Sequence, residues 1–161
     1  MKKNSKNDIM KVELHMCMGP QGSGKSTWAK KFASENPDVL YLSTDKLRAE
    51  MGAGEHDQSV NALIYSRMKT KAEAALRKGQ SVLLDATFIR KAWRKDYVKL
   101  GRQLGAKLVA HVFKADRETL IKRVQHRAAN GGLNVPTDVI DKYIAQFEQP
   151  DRTEFDEIIN H

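Results

Sequence analysis

Eight consecutive residues, Gly19-Pro20-Gln21-Gly22-Ser23-Gly24-Lys25-Ser26, fit the Walker A pattern G-x-x-x-x-G-K-[ST]. In that pattern the glycines let the backbone wrap with its N–H groups turned inward, forming an anion nest. An apolar run, Val12–Met18, precedes the motif, and helical periodicity starts at about Lys25. The nest is therefore expected at a helix N-terminus, where the dipole favours phosphate. On this reading Gly19, Gln21, Gly22, Ser23, Gly24, Ser26 and Thr27 surround the phosphates of ATP. Lys25 reaches the β- and γ-phosphates, and the Ser26 hydroxyl is a ligand for Mg²⁺. Chance is the alternative, but with Gly at about 7% of residues such a match arises in roughly one chain in a few hundred of this size.

Three further groups are candidates to complete the chemistry. Val82-Leu83-Leu84-Asp85 is an apolar run ending in a carboxylate, the Walker B pattern. In a parallel α/β sheet the carboxyl ends of strands face the ligand, so Asp85 would hold magnesium through water or order the acceptor side, unless it only caps the next turn. Asp45 and Arg48, in Ser43-Thr44-Asp45-Lys46-Leu47-Arg48, are neighbours on one face of a nascent helix. There the carboxylate would take a hydroxyl proton and aim the oxygen, while the arginine holds a phosphate. The plainer alternative makes Asp45 a helix cap and leaves Arg48 solvated. Arg123 and Arg127 stand one helical turn apart before Asn130-Gly131-Gly132, expected as a mobile break over ATP. They would neutralise charge on the transferring phosphate, or else form a solvated basic face. His126 falls on another face and reads as surface.

A P-loop alone does not choose between GTPase, motor ATPase and kinase. No Asn-Lys-x-Asp guanine-reading motif occurs, and 161 residues are few for an oligomeric motor with sensor regions. An acceptor site and a lid point instead to a kinase.

Short apolar runs alternating with helical periodicity must position these groups. Strands are expected at Val12–Met18, Val39–Leu42, Ser81–Asp85, Lys107–Phe113 and Glu157–Ile159. Helices are expected from Lys25 to Ser34, from near Asp45, and through the stripe Val60, Leu63, Ile64, Met68, Ala72, Ala75, Leu76 that ends at Gly79. A loop spans Gly52–Asp57. Trp93, Tyr97, Leu100 and Leu104 form a stripe that reads as core, ended by Gly105. Opposite it Arg90, Lys91, Arg94, Lys95, Lys99 and Arg102 make a basic face that either tracks a phosphate backbone or is solvated. Leu120, Ile121, Val124 and Ala128 mark another helix, and Ile140, Tyr143, Ile144 and Phe147 the last. Such alternation implies right-handed crossovers and a parallel sheet covered on both faces. The expected organisation is a flexible tail over 1–8 and one domain over 9–161.

The chain is 40% apolar and 30% charged, a globular balance. No run approaches the ~18 apolar residues of a membrane helix, and the polar N-terminus lacks a secretory signal. Cys17 is the lone cysteine, which excludes an intrachain disulfide or zinc cluster and fits a reducing cytoplasm. The net charge of +8, with pI about 9.6, favours a polyanionic partner such as nucleic acid.

Together these elements resemble the kinase domain of phage and bacterial 5′-hydroxyl polynucleotide kinases, from about Val12 to Phe147. Gly19 to Ala29 looks like that family's P-loop and first helix, Asp45-x-x-Arg48 like its acceptor motif, and Asp85-Ala86-Thr87 like its aspartate after the third strand. Arg123 and Arg127, with Val135-Pro136 following, look like its lid. The resemblance implies a P-loop kinase fold, five parallel strands in order 2-3-1-4-5 with a helical lid. It also implies Asp45 as general base, Arg48 on the phosphate 3′ of the target nucleoside, ATP and Mg²⁺ as cofactors, and the 5′-hydroxyl of DNA or RNA as acceptor, in a bacterial or phage-infected cell. The phosphatase motif Asp-x-Asp-x-Thr of many relatives is absent, so 3′ end-trimming is not expected. The subgroup also resembles kinases of hydroxymethyl bases in DNA and of nucleotide sugars; a nucleotide-dependent binding module without turnover is the non-enzymatic alternative. Gln149–Arg152 is the expected adenine loop.

Overall fold

The computed structural model describes residues 11–53, 59–132 and 134–161. The expected tail over 1–8 and residues 54–57 of the expected loop lie outside them. Strands β1 (Glu13–Met18), β2 (Leu40–Ser43), β3 (Val82–Asp85), β4 (Lys107–Val112) and β5 (Glu157–Asn160) form one parallel sheet in the order β2-β3-β1-β4-β5. Helices α1 (Lys25–Glu35), α2 (Thr44–Glu50), α3 (Asn61–Arg77), α4 (Lys91–Gln103), α5 (Arg117–Ala129) and α6 (Thr137–Gln146) complete it. The P-loop kinase fold and strand order match the expectation.

Strand alternation assigns the two faces. Leu14, Met16, Met18, Val82 and Leu84 pack with Ile64, Met68 and Ala72 of α3 and with Tyr97 and Leu100 of α4. Cys17 and Leu83 face the other way, against Ala29, Trp28 and Phe32 of α1. Each fully buried Leu or Met contributes on the order of 1.5–3 kcal/mol. Leu120, Val124 and Ile140 form a smaller cluster that joins α5 to α6. Because β1 is central, the loop that leaves it emerges in the middle of the sheet's carboxyl edge, flanked by the ends of β3 and β4.

Two assignments on α4 are corrected. Arg94, expected on the basic outer face, is 0% exposed. Its Nε and Nη2 donate to Glu154 at 2.9 and 3.0 Å, and Nη1 donates to the carbonyls of Phe88 and Glu148. Arg102 is exposed, as expected, and donates to the carbonyls of Thr153 and Glu154. A segment sixty residues further on covers this side of α4, which the periodicity of one helix does not reveal. Trp93, expected in the core stripe, is 41% exposed. It lies in the first turn of α4, with the Arg90 guanidinium 5.8 Å from its ring. Leu63 and Ile144, also placed on apolar stripes, are exposed.

Candidate phosphoryl-transfer site

A cavity of about 640 Å³ opens at the carboxyl edge of β2 and β3, beside the loop that follows β1. That loop supplies Gln21, Lys25 and Ser26; α2 supplies Asp45 and Arg48; β3 supplies Asp85. The loop can take its path only because two positions lack side chains. A Cβ on Gly19 would collide with the Phe113 carbonyl oxygen, and one on Gly22, where φ is 81°, would sit 3.1 Å from the Leu120 carbonyl oxygen. The N–H of Gly19 donates to the Thr87 carbonyl at 3.0 Å, tying the motif to the segment after β3. Lys25 begins α1 and is buried, its side chain lining the cavity.

Asp85 is 3% exposed, and both carboxylate oxygens are occupied. Oδ1 accepts from the Ser26 hydroxyl at 3.4 Å, and Oδ2 accepts from the Tyr41 hydroxyl at 2.7 Å. Burial, then the charge of Asp85 and its hydrogen bond, push the Tyr41 phenol up, so it remains a donor. Ser26 and Asp85 are hard oxygen ligands, the kind magnesium takes in ones and twos while it keeps water and phosphate oxygens. They fit such an ion. Among the described residues no group of three His, Cys, Asp or Glu offers an all-protein cage. Tyr41 was not singled out from sequence; the period of β2 puts it on the face of Ser43, which pairs with Asp85, and that register was the available signal.

Asp45 does not cap its helix. The Ser43 hydroxyl accepts from Lys46 N–H and is the N-cap of α2, which removes the plainer alternative for the carboxylate. Arg48 Nη1 donates to Asp45 Oδ1 at 3.0 Å, and Nη2 donates to Asn61 Oδ1 at 2.7 Å. That pair engages Asp45 through Oδ1. Arg48 itself is 3% exposed, so a phosphate reaching it would have to share or displace Asn61. Asn61 was missed because it lies on α3, beyond the 54–58 segment. Trp93, Tyr65 and Tyr143 line the same cavity, and burial pushes the Tyr65 hydroxyl up.

On the opposite side of the motif lies a more open depression of about 760 Å³. Ser23, Gly24 and Thr27 form its floor near the motif, with Trp28, Phe113 and His161 as an aromatic wall and Arg123 and Arg127 from α5 on its rim. Arg123 Nη1 donates to the Gly22 carbonyl at 3.0 Å, so α5 grips the motif directly. His126, exposed as expected, also borders the depression. Residues 149–152 line neither cavity. The N–H of Glu148 donates to the Ile89 carbonyl, and Lys91 pairs with Asp151 at 3.6 Å, which holds this stretch against the start of α4. Phe113 and His161 carried no sequence signal beyond their position at strand ends.

A family model described as an AAA domain matches residues 14–150. The L-seryl-tRNA(Sec) kinase of Methanococcus maripaludis is 28% identical over 141 residues, covering 85% of this chain and 53% of that protein. Among solved structures, a chain of the Pnkp1/Rnl/Hen1 RNA repair complex superposes with a TM-score of 0.77 at 27% identity, over 88% of this chain and 46% of its own. A gluconokinase from Sinorhizobium meliloti superposes with a TM-score of 0.62 at 15% identity, over 92% and 81% respectively, and shares the fold. The chain thus spans about half the length of its seryl-tRNA kinase and RNA-repair relatives.

Proposed function

The chain belongs to this AAA domain family, and from that premise we propose that it transfers the γ-phosphoryl group of ATP to a hydroxyl on nucleic acid, above all the 5′-hydroxyl of a DNA or RNA end. The observation that carries the reading is one cavity lined both by Lys25 and by Asp45, the one suited to phosphate and the other to a hydroxyl. A kinase needs donor phosphate and acceptor oxygen in line at one point, and little covalent help from the protein.

In this mechanism the N–H groups of Gly22 to Ser26 cradle the phosphates, and Lys25 balances charge as it builds on the β–γ bridge. Magnesium held by Ser26 and Asp85 would neutralise phosphate oxygens. Asp45 Oδ2 accepts the proton of the acceptor hydroxyl as that oxygen bonds to the γ-phosphorus. The bond from that phosphorus to the bridging oxygen breaks, and ADP leaves. Arg48 fixes Asp45 through Oδ1 and meets a neighbouring phosphate of the acceptor. Arg123 and Arg127 close on the phosphates from α5. Trp93, exposed at the mouth of the cavity, offers a face on which an acceptor base stacks. Relatives that act on tRNA or stand in an RNA repair complex support a nucleic-acid acceptor, as does the net charge of +8. The lone Cys17, buried with its thiol pushed up by burial, suits a reducing cytoplasm.

The test is to supply γ-labelled ATP with oligonucleotides bearing a free 5′-hydroxyl, digest the product and locate the label. A 5′-terminal label is expected, with oligonucleotide affinity falling in salt by a log–log slope of about −0.7 per phosphate neutralised. Label on internal hydroxymethyl bases, or transfer only to small molecules, would overturn the acceptor while leaving phosphoryl transfer intact. ATP consumption that never depends on an added acceptor would overturn the kinase.

A further inference from the structure

On the face of the sheet covered by α1, four side chains form one continuous hydrogen-bonded chain. Glu13 Oε2 lies 2.7 Å from His15 Nε2, His15 Nδ1 lies 2.9 Å from His111 Nε2, and His111 Nδ1 lies 2.9 Å from His161 Nε2. It crosses from the start of β1 through β4 to the residue after β5. Trp28 lies over it, 4.3 Å from the His111 ring and 4.7 Å from that of His161. Its last ring is the one in the aromatic wall beside the motif, stacked on Phe113 at 4.4 Å and 1°.

The direction of this chain is set at its first member. A neutral imidazole has one N–H and one lone pair, and a carboxylate oxygen only accepts. His15 must therefore donate from Nε2 to Glu13, which leaves its Nδ1 an acceptor. His111 then donates from Nε2 to His15, and His161 donates from Nε2 to His111. The one nitrogen left over, His161 Nδ1, is an acceptor, with no hydrogen-bond partner among the described residues. Burial keeps the chain neutral: it lowers the pKa of all three histidines, that of His111 to about 3.

We propose that this relay makes His161 a specificity-determining residue of the nucleotide site, presenting Nδ1 as an acceptor that selects a base with an exocyclic amine, as in adenine, over one with a carbonyl there, as in guanine. Glu13, His15 and His111 are positioning residues that act through His161. The inference rests on reading the Trp28–Phe113 depression as the base pocket of the proposed phosphoryl donor. An acceptor facing an amine makes a hydrogen bond; facing a carbonyl, it leaves two lone pairs unsatisfied.

Binding of ATP and of GTP to the whole chain, by calorimetry with magnesium, tests this beside the imidazole nitrogen shifts, which report the tautomer. ATP should bind about 10- to 100-fold tighter than GTP, with His161 protonated on Nε2. His161→Phe keeps the stack but removes Nδ1, and the ratio should fall to within about threefold of unity. Glu13→Gln, far from the nucleotide, ends in an amide that both donates and accepts; His161 should then show both tautomers, and the ratio should shrink. A proton on His161 Nδ1 in the unaltered chain, or a ratio unmoved by His161→Phe, would overturn the inference. Transfer to oligonucleotides that uses ATP and GTP equally would overturn it alone, whereas base discrimination without transfer would leave it standing and overturn the kinase reading. Binding of neither nucleotide overturns both.

Discussion

Lys25 and Asp45 line the same cavity, but each is suited to a different partner, and their variants should fail in different ways. Lys25→Ala removes a preorganised donor to charge that develops on the phosphates, so turnover should fall at least ~10²-fold even at saturating ATP. Near-normal turnover at high ATP would remove Lys25 from the chemistry. Asp45→Asn cannot take up a proton but keeps its size. It should abolish transfer and leave ATP affinity within a few-fold, since in the proposed mechanism the carboxylate addresses the acceptor. Loss of ATP binding in this variant would make Asp45 structural. The grip of Arg48 on Asp45 and Asn61 adds a detail that spacing did not supply. Its removal should lower kcat as well as raise the acceptor KM, because the proposed base is left unaimed.

At the scale of elements, α4 and the segment before β5 are locked together by one buried ion pair. Arg94 spends its guanidinium on Glu154 and on two carbonyls, of Phe88 and Glu148. Phe88 stands at φ 41°, a conformation that costs a non-glycine residue on the order of 1–3 kcal/mol, and the Arg94 bond to its carbonyl helps hold it there. Removing one partner of such a pair leaves the other charge buried and uncompensated, so Glu154→Gln should cost about 3–5 kcal/mol in urea unfolding. A loss under about 1 kcal/mol would mean that water or neighbouring groups take over the pairing.

Across the whole molecule, the two cavities lie on either side of the phosphate loop, and the histidine relay runs beneath α1 to one of them. Its sign in stability follows from its depressed pKa values. The unfolded chain takes up protons on these histidines near pH 6.5, which the neutral buried relay resists until much lower pH. Stability should therefore hold above about pH 7 and decline as pH falls from 6.5 toward the His111 value of about 3. The groups facing the relay are Glu13, Lys107 and Glu157 at its outer end, with the rings of Trp28 and Phe32 above it. In His111→Phe the slope of unfolding free energy between pH 6.5 and 5 should shrink by about one proton. An unchanged slope would assign acid sensitivity to carboxylates elsewhere.

The phosphate loop, the parallel strands and the cluster of Lys25, Ser26, Asp45 and Asp85 were legible in residue order, because each depends on local signals, whereas the strand order came from the family resemblance. Glycines at fixed offsets permit one loop path, alternating apolar runs set strands and helices, and parallel strands bring their carboxyl ends to one edge. Asp45 and Arg48 are paired by helix geometry alone. What residue order left open were contacts between segments far apart. Arg94 looked solvated until Glu154 covered it, and Trp93 looked buried until the fold left it exposed on the lining of the cavity. Tyr41, Asn61 and His161 gained their partners only when β2 met β3, α2 met α3 and β5 met β4. A helical period reports which residues share a face, and only tertiary packing decides what that face meets, since burial and hydrogen bonding depend on atoms that the chain brings in from elsewhere.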